Sequence, residues 1–203
     1  MIENKGRLFI YSGPSGVGKG TLLAPLLREG FVTLSVSATT RAPRAGERDG
    51  VEYHFVSREE FERMIADGEM LEYTEYGGNY YGTPRRFVER ALEDGLNVVL
   101  EIETEGGQNV ARLCPEAVRI FVLPPSLETL RERLTGRGTE SEEAVERRLA
   151  AARREIAASV NYDFIIVNDD VFLAREQLAC AIEAGGTLRR LQENTIKEVL
   201  ESC

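Results

Sequence analysis

The stretch YSGPSGVGKGT, residues 11–21, restricts the fold of this chain more than any other segment. Gly13, four intervening residues, Gly18 and Lys19 match the pattern of a phosphate-binding loop. An apolar run precedes the loop and a helical pattern with a leucine face follows it, so the loop joins a strand to a helix. In that arrangement backbone N–H groups and the helix N-terminus attract phosphate, and the lysine reaches the β- and γ-phosphates. The segment therefore predicts binding of a nucleoside triphosphate rather than an incidental glycine-rich turn.

Gly20 is the unusual position of the loop, because the common pattern has Ser or Thr there to place a hydroxyl on magnesium. Thr21 comes one residue later, and consecutive helical residues point about 100° apart. We therefore expect the Thr21 hydroxyl to meet an inner phosphate instead. The sequence predicts no side-chain ligand for magnesium in the loop, with the ion held by phosphate oxygens and water.

Composition narrows the class of protein. The chain has 203 residues, a length that suits one globular domain. Its formal net charge of −9 argues against binding to the phosphate backbone of a nucleic acid, because such binding depends mainly on cationic side chains. We expect no membrane partner, since no apolar run approaches the roughly 20 residues of a span and the N-terminus lacks the segments of a signal peptide. Cys114, Cys180 and Cys203 are widely spaced, which favours a reducing, cytoplasmic setting over a disulfide framework or a zinc site.

Strand and helix patterns alternate along most of the chain. Apolar runs rich in β-branched and aromatic residues predict strands at 7–12, 32–37, 97–103, 117–123 and 163–168. Helices are predicted after the phosphate loop and at 84–94, 126–135, 140–159 and 171–184. Because the strand runs are nearly continuous in hydrophobicity, they favour a parallel sheet flanked by helices and built from right-handed βαβ units. The predicted fold class is α/β.

Residues 38–82 break this alternation. They hold the short alternating segments VEYHFV and EMLEYTEY, a short helix near 58–67, and the loops RAPRAGERDG and YGGNYYG. We expect a small mixed or antiparallel insertion here.

Arg41 and Arg44 lie three residues apart in the first of these loops, after the hydroxyl-rich run SVSATT. Their guanidinium groups and the hydroxyls of Tyr53 and Tyr81 could surround a compact dianion such as a monophosphate. Glu72 lies among apolar and aromatic residues, where a carboxylate can accept the two hydrogen bonds that N1–H and the N2 amino group of guanine offer. Taken singly, these residues also fit a solvated basic loop and an exposed strand glutamate.

Eight segments occur together in the order and spacing of a known family: SGPSGVGKGTL, SVSATTRAPRAGE, YHFVS, FERMIADGEMLEY, GNYYGT, FVLPPS, GRGTESEE and IIVNDD. Across residues 6 to 184 the chain resembles the guanylate kinase family. The resemblance implies a P-loop nucleoside monophosphate kinase with a GMP-binding insertion and a mobile lid. It also implies Mg²⁺-dependent transfer of the γ-phosphate of ATP to GMP, giving ADP and GDP, in purine nucleotide metabolism.

The resemblance assigns individual residues as well. ATP would be bound by Gly13, Pro14, Ser15, Gly16, Val17, Gly18, Lys19, Gly20 and Thr21, with Asn168 near the adenine. GMP would be bound by Ser37, Arg41, Arg44, Tyr53, Glu72, Tyr81, Thr83 and Glu103. The catalytic residues would be Lys19, Arg41, Arg137 and Arg148, the last two as lid arginines that close over the transferring phosphoryl group.

The same resemblance divides the chain. Residues 1–37 and 83–184 would form the core, with a lid at about 136–147, and 38–82 would form the GMP-binding insertion. Beyond the part of the chain that the resemblance covers, the pattern of TLRRLQENTIKEVLESC predicts a C-terminal helical extension at 185–203. Thr139, with Glu142 three residues later, is the expected N-cap of the helix that follows the lid loop.

Two glutamates depart from the family pattern, which commonly has LDID followed by QG where this chain has LEIETEG. Glu101 and Glu103 therefore replace aspartates expected near the metal-bound water and GMP. Each glutamate has one more methylene, so we expect displaced or water-mediated contacts, with Glu101 acting on the metal through water.

Two other functions stay open on the sequence alone. One is a catalytically silent guanylate-kinase-like domain for protein interaction, although such domains typically lose residues that are kept here, Lys19, Arg137 and Arg148. The other is a nucleotide kinase with a different monophosphate acceptor, because base choice depends on few hydrogen bonds. The sequence leaves monomer or homodimer undecided.

Overall fold

The computed structural model describes residues 6–136, 141–188 and 191–201. Its strands are β1 (Leu8–Ser12), β2 (Thr33–Leu34), β3 (Ala38–Thr39), β4 (His54–Phe55), β5 (Met70–Tyr76), β6 (Asn79–Pro84), β7 (Val98–Glu101), β8 (Val118–Leu123) and β9 (Phe164–Val167). Its helices are α1 (Lys19–Arg28), α2 (Arg58–Ala66), α3 (Arg85–Glu93), α4 (Thr104–Leu113), α5 (Leu127–Thr135), α6 (Glu142–Ala158), α7 (Val171–Gly185) and α8 (Glu193–Glu201).

The strand β1 lies at the centre of a five-stranded parallel sheet with the order β2-β7-β1-β8-β9. Ile10 of β1 is opposite Leu100 of β7 on one side and Arg119 of β8 on the other. All five residues of β1 are buried, which explains why its sequence shows no alternation of apolar and polar residues. The predicted α/β fold with a parallel sheet is confirmed.

Alternate residues of β1 enter two separate cores, as the two-residue period of a strand requires. Phe9 and Tyr11 pack in one core with α1 and α7. Leu8 and Ile10 pack in the other with α3 and α4. The helices supply Leu22, Leu23, Leu26, Leu178 and Ile182 to the first core and Val88, Ala91 and Val110 to the second. Both faces of β1 are therefore covered by helices.

A second, mixed sheet has the order β4-β3-β6-β5. The strand β3 pairs parallel with β4 and antiparallel with β6, while β5 and β6 form an antiparallel hairpin. Gly77 and Gly78 make the turn of this hairpin with φ angles of 59° and 76°, which favour glycine. Residues 79–82, expected in a loop, belong to β6 instead. Pairing with strands on both sides gives this polar, tyrosine-containing run its extended form.

Only residues 33–34 of the predicted strand at 32–37 form a strand, in the parallel sheet. This strand is β2, and the chain crosses to the mixed sheet before β3 begins at Ala38. The crossing segment, 35–37, stays attached to the parallel sheet through the Ser35 N–H, which donates to the Val99 carbonyl at 3.0 Å. Two serine side chains, of Ser35 and Ser37, are thereby held where the sheets meet.

The helix α4 was not expected from the sequence, because Gly106 and Gly107 lower its helix propensity. A Cβ atom at Gly107 would lie 2.9 Å from Cγ2 of Ile10, so the glycine allows α4 to approach β1 closely. Packing on the sheet therefore decides the helical form of this segment. In the part of the chain that the structure describes, no helix is both long and apolar enough to cross a membrane.

Part of the predicted lid, 136–147, lies outside the described residues. Arg137 and Thr139 belong to that part. The helix α6 begins at Glu142 rather than at residue 140. Ser141 is its N-cap, and the Ser141 hydroxyl accepts a hydrogen bond from the Ala144 N–H at 3.3 Å. Ser141 therefore has the role predicted for Thr139.

Phe61 of α2 is the main apolar anchor of the mixed sheet. It is fully buried, and its ring stacks on that of Tyr80 with centroids 5.2 Å apart. Because Phe61→Ala would leave a cavity, we expect it to lower the free energy of unfolding by about 3–5 kcal/mol, measured by urea denaturation. The control is Phe172→Ala, since Phe172 is 60% exposed and its loss should cost less than about 1 kcal/mol. Equal losses in the two variants would contradict this role.

Candidate functional site

Two adjoining cavities open where β1, β2 and β7 end and the mixed sheet begins. Lys19, Ser35 and Glu101 line the first cavity, and Glu72, Tyr81 and Glu105 line the second. The cavities share Ser37, Tyr53, Glu101, Ile102 and Glu103. Together they form one continuous cleft, which runs from the phosphate loop to the β5–β6 hairpin.

The phosphate loop follows β1, and α1 begins at Lys19 with Gly18 as its N-cap. Gly18 has a φ of 98°, a conformation that favours glycine. The Lys19 ammonium donates to the Gly13 carbonyl at 2.6 Å and to the Pro14 carbonyl at 3.4 Å. Burial lowers the pKa of Lys19, and the negative charge of Glu101 offsets part of that effect. The loop therefore holds its lysine side chain folded back on its own backbone carbonyl groups.

Hydrogen bonds from outside the loop fix its backbone at Val17. The Asn168 side-chain amide donates to the Val17 carbonyl at 2.7 Å. The Arg133 guanidinium donates to the same carbonyl at 3.3 Å and to the Asn168 carbonyl at 2.9 Å. Sequence reasoning missed Arg133, which looked like one of many charged residues on a surface helix. Asn168 was expected near the adenine; its observed contact is with the loop, and the adenine contact stays a prediction.

Arg41 lies beside Tyr53 of the cleft and is paired with Glu47. One Arg41 nitrogen, Nη2, is 2.9 Å from each Glu47 carboxylate oxygen, and the Arg44 N–H donates to the same carboxylate at 2.7 Å. The backbone hydrogen bond from Arg44 and the guanidinium of Arg41 together lower the pKa of Glu47. The sequence gave no signal for Glu47, because the loop has several charged residues in an irregular conformation.

Tyr53 lies beside Arg41, and Tyr81 lies beside Tyr53; their joint contact with a monophosphate stays a prediction. The guanidinium carbon of Arg41 lies 5.5 Å from the centre of the Tyr53 ring, within reach of a cation–π contact. The Tyr53 and Tyr81 rings meet edge to face with centroids 6.0 Å apart. Neither Arg41 nor the exposed Arg44 side chain lines either cavity; Arg41 is beside the cleft through its contact with Tyr53.

Glu72 lies on β5 in the floor of the cleft and is only 8% exposed. The Thr83 hydroxyl of β6 donates to Glu72 Oε1 at 2.8 Å. Burial raises the pKa of Glu72, although the Thr83 hydrogen bond acts in the opposite direction. A Cβ atom at Gly106 would lie 3.0 Å from Glu72 Oε2, so the glycine of α4 leaves room beside that oxygen. Ser37, Glu72 and Thr83, predicted as one group, are thus placed at or beside the same cavity.

Glu101 and Glu103 follow one another along the cleft wall, between the phosphate loop and Glu72. Burial raises the pKa of the Glu101 carboxyl, and the Lys19 ammonium partly opposes this. Glu105, which the sequence did not single out, lines the same cavity as Glu72. In residues 6–136, 141–188 and 191–201, His, Cys, Asp and Glu side chains form no group of three or more that could hold a metal ion.

The lid arginines are only partly placed. Arg148 lies on α6, partly buried, next to Leu149 of a small core shared with α5. It lines neither cavity. Arg137 lies outside the described residues.

Comparisons with known proteins agree over almost the whole chain. The family model described as guanylate kinase matches residues 5–185. A guanylate kinase of Streptococcus pneumoniae is 51% identical over 185 residues, which cover 90% of this chain and 89% of that protein. One from Clostridioides difficile is 50% identical over 179 residues, with 88% and 87% covered. The crystal structure of guanylate kinase from Anaplasma phagocytophilum superposes with a TM-score of 0.75 at 33% identity, covering 98% of this chain and 96% of that one.

Gly18 and Gly20, two residues apart in the loop, should respond very differently to substitution. A Cβ atom at Gly18 would lie 2.5 Å from the Asn168 amide nitrogen, whereas one at Gly20 would meet nothing within 4 Å. We expect Gly18→Ala to lower the free energy of unfolding by about 1–3 kcal/mol, through its φ angle and the lost Asn168 contact. Gly20→Ala should be neutral or stabilising by up to about 1 kcal/mol, since it improves helix propensity. Thermal unfolding of both variants tests this, and equal melting temperatures would contradict it.

Proposed function

The chain belongs to the guanylate kinase family, and on that premise we propose that it transfers the γ-phosphate of ATP to GMP, giving ADP and GDP. One observation carries the proposal. A single cleft joins the loop lysine, Lys19, to a buried carboxylate, Glu72, with Arg41 and two tyrosines beside it. A triphosphate at one end and a nucleoside monophosphate at the other would point their phosphates at each other.

The donor half of the site comprises residues 13–21 and the N-terminus of α1. Backbone N–H groups and the helix N-terminus favour the phosphates of ATP there. Lys19 then leaves the Gly13 carbonyl, which it contacts at 2.6 Å, and donates to phosphate oxygens. The Asn168 and Arg133 hydrogen bonds to Val17 hold the backbone during this exchange.

The acceptor half comprises Arg41, Arg44, Tyr53 and Tyr81 for the phosphate of GMP. Arg41 is held by Glu47 at 2.9 Å, so its guanidinium is already oriented beside the cleft. Ser37, Glu72 and Thr83 would contact the guanine base. The Glu72 carboxylate would accept from N1–H and the N2 amino group, and Glu103, which lines the same cavity, would add a further contact.

Phosphoryl transfer requires alignment and neutralisation of charge more than proton transfer. Magnesium bound with ATP would supply positive charge that offsets the negative charge of the phosphate groups. The residues fit a hydrated ion: Glu101 lines the cleft beside Lys19, and the open space at Gly20 holds no side chain. Glu101 would act through a water molecule. Arg137 and Arg148 would close over the transferring group from the lid and exclude water.

The setting of this activity is part of the same proposal. We place it in the cytoplasm and in purine nucleotide metabolism. Cys114 and Cys180 are free thiols in the structure, which supports a reducing compartment.

The acceptor test uses purified protein with Mg²⁺ and ATP and compares GMP, AMP, CMP and UMP in a coupled assay for ADP. We expect kcat/KM for GMP to exceed that for AMP by at least about 100-fold, because AMP would leave buried Glu72 without the donors it requires. Lys19→Met should lose the activity, which excludes a contaminating kinase. Equal turnover of AMP and GMP would overturn the guanine assignment, and no turnover of any acceptor would favour an interaction domain.

The pH dependence of GMP use should depend on Glu72. Its pKa is raised by burial, so the carboxylate is lost as the pH falls through a value above the ordinary one. Protonation removes an acceptor for guanine, and KM for GMP in the wild type should therefore rise as the pH falls.

Glu72→Gln is the matched variant, because it keeps the shape and removes the ionisable group. Near neutral pH it should raise KM for GMP by about 10- to 100-fold, which corresponds to the free energy of hydrogen bonds to a charged group. KM for ATP should change little. The ratio of the variant's KM to that of the wild type should shrink as the pH falls from 8 to 5. A ratio that stays constant with pH, or an equal effect on ATP, would contradict the assignment.

A further inference from the structure

The phosphate loop lacks a hydroxyl at the position after its lysine. Gly20 has no side chain, and a Cβ atom built there would meet nothing within 4 Å. The space that a serine or threonine side chain would occupy is therefore available, and the structure does not exclude such a residue by crowding. A metal ion accompanying the triphosphate would need its hydroxyl contact, if it has one, from another part of the chain.

Ser35 offers such a hydroxyl. It is 6% exposed, and its Oγ atom is enclosed without a hydrogen-bond partner among the described residues. Ser35 lines the cavity that Lys19 and Glu101 also line. A buried hydroxyl is seldom left without a partner, since it has given up its bonds to water. The position of this one, beside a lysine that binds phosphate and a carboxylate, indicates that its partner belongs to a bound ligand.

The backbone holds Ser35 firmly at this place. Its N–H donates to the Val99 carbonyl at 3.0 Å, which continues the pairing of β2 with β7 by one residue. Glu101 lies two residues beyond Val99 at the end of β7. The side chain of a serine can turn between staggered rotamers without moving the backbone, so Oγ can turn toward the cavity when a ligand enters.

We propose that Ser35 is a positioning residue for the hydrated magnesium ion that accompanies ATP, and that it supplies the hydroxyl which Gly20 does not. Its Oγ holds a metal-bound water, and Glu101 holds the ion's hydration shell from the neighbouring strand. Water-mediated contacts of this kind suit Mg²⁺, which keeps several waters when it binds to proteins. The inference rests on the proposed use of metal-bound ATP, and not on the identity of the acceptor.

Other enclosed hydroxyls in the described residues lie differently. Thr104 Oγ1 and Tyr162 OH also have no hydrogen-bond partner there. Neither residue lines the cavity that holds Lys19. Tyr162 OH faces α4, 3.2 Å from where a Cβ atom of Gly107 would lie. Thr104 therefore provides a matched control, because it carries a buried hydroxyl at the same end of the sheet that does not line the cavity with Lys19.

The experiment measures metal binding without turnover. Mn²⁺, which shares the preference of Mg²⁺ for oxygen ligands, is titrated into the protein with the imido analogue of ATP, and free Mn²⁺ is counted by electron paramagnetic resonance. We expect Ser35→Ala to weaken Mn²⁺ binding by about three- to tenfold, the worth of one hydrogen bond. Affinity for the analogue without metal should stay the same.

Two further variants sharpen the result. Thr104→Ala should leave Mn²⁺ affinity within about twofold of the wild type, because Thr104 does not line the cavity with Lys19. Gly20→Ser in the Ser35→Ala background should restore most of the lost affinity, because the space for that side chain is open. Loss of Mn²⁺ affinity no larger than in Thr104→Ala, or an equal loss of analogue binding without metal, would overturn the inference. Because GMP is absent, failure here is distinct from failure of the GMP assignment.

Discussion

The burial of β1 on both faces is the constraint on which the rest of this structure depends. Hydrogen-bonded to β7 and β8 and covered by helices on each side, β1 has no free polar surface except at its end. The phosphate loop begins there, at Gly13. The neighbouring strands β2 and β7 end at the same edge, as parallel strands must, and place Ser35 and Glu101 within one cavity. Polar chemistry is thereby concentrated at a single edge of an otherwise apolar sheet.

The charge of the cleft is unusual for a site that would hold two anionic nucleotides. Carboxylates line much of it: Glu72, Glu101, Glu103 and Glu105. Burial raises the pKa of Glu72 and of Glu101 and lowers that of Lys19, so burial makes the charged form of each of these three groups less stable than it is in water. Incoming phosphates would bring Lys19 and Arg41 better partners than a loop carbonyl and Glu47. Substrate and metal binding would then complete the neutralisation of a site that is only partly balanced without them.

The parallel sheet could be predicted because its strands are apolar throughout, and the phosphate loop because its spacing is distinctive. The site residues that were missed are those whose role arises from distant contacts. The role of Arg133 depends on contacts with distant residues, among them a carbonyl 116 residues away. The role of Glu47 depends on its contact with Arg41, which the folding of an irregular loop creates. The α4 helix was missed for a related reason, since Gly107 is unfavourable for a helix and necessary for close packing on Ile10. Local pattern predicts elements well, but not contacts that close over long stretches of chain.

The attachment of Arg133 to the phosphate loop has a mechanical consequence. Arg133 lies in the last turn of α5, directly before the segment assigned to the lid, and its guanidinium bonds to the carbonyls of Val17 and Asn168. A lid formed from residues 136–147 would then have its near hinge fastened to the donor-binding loop. A displacement of the end of α5 would therefore either move the loop with it or break these hydrogen bonds.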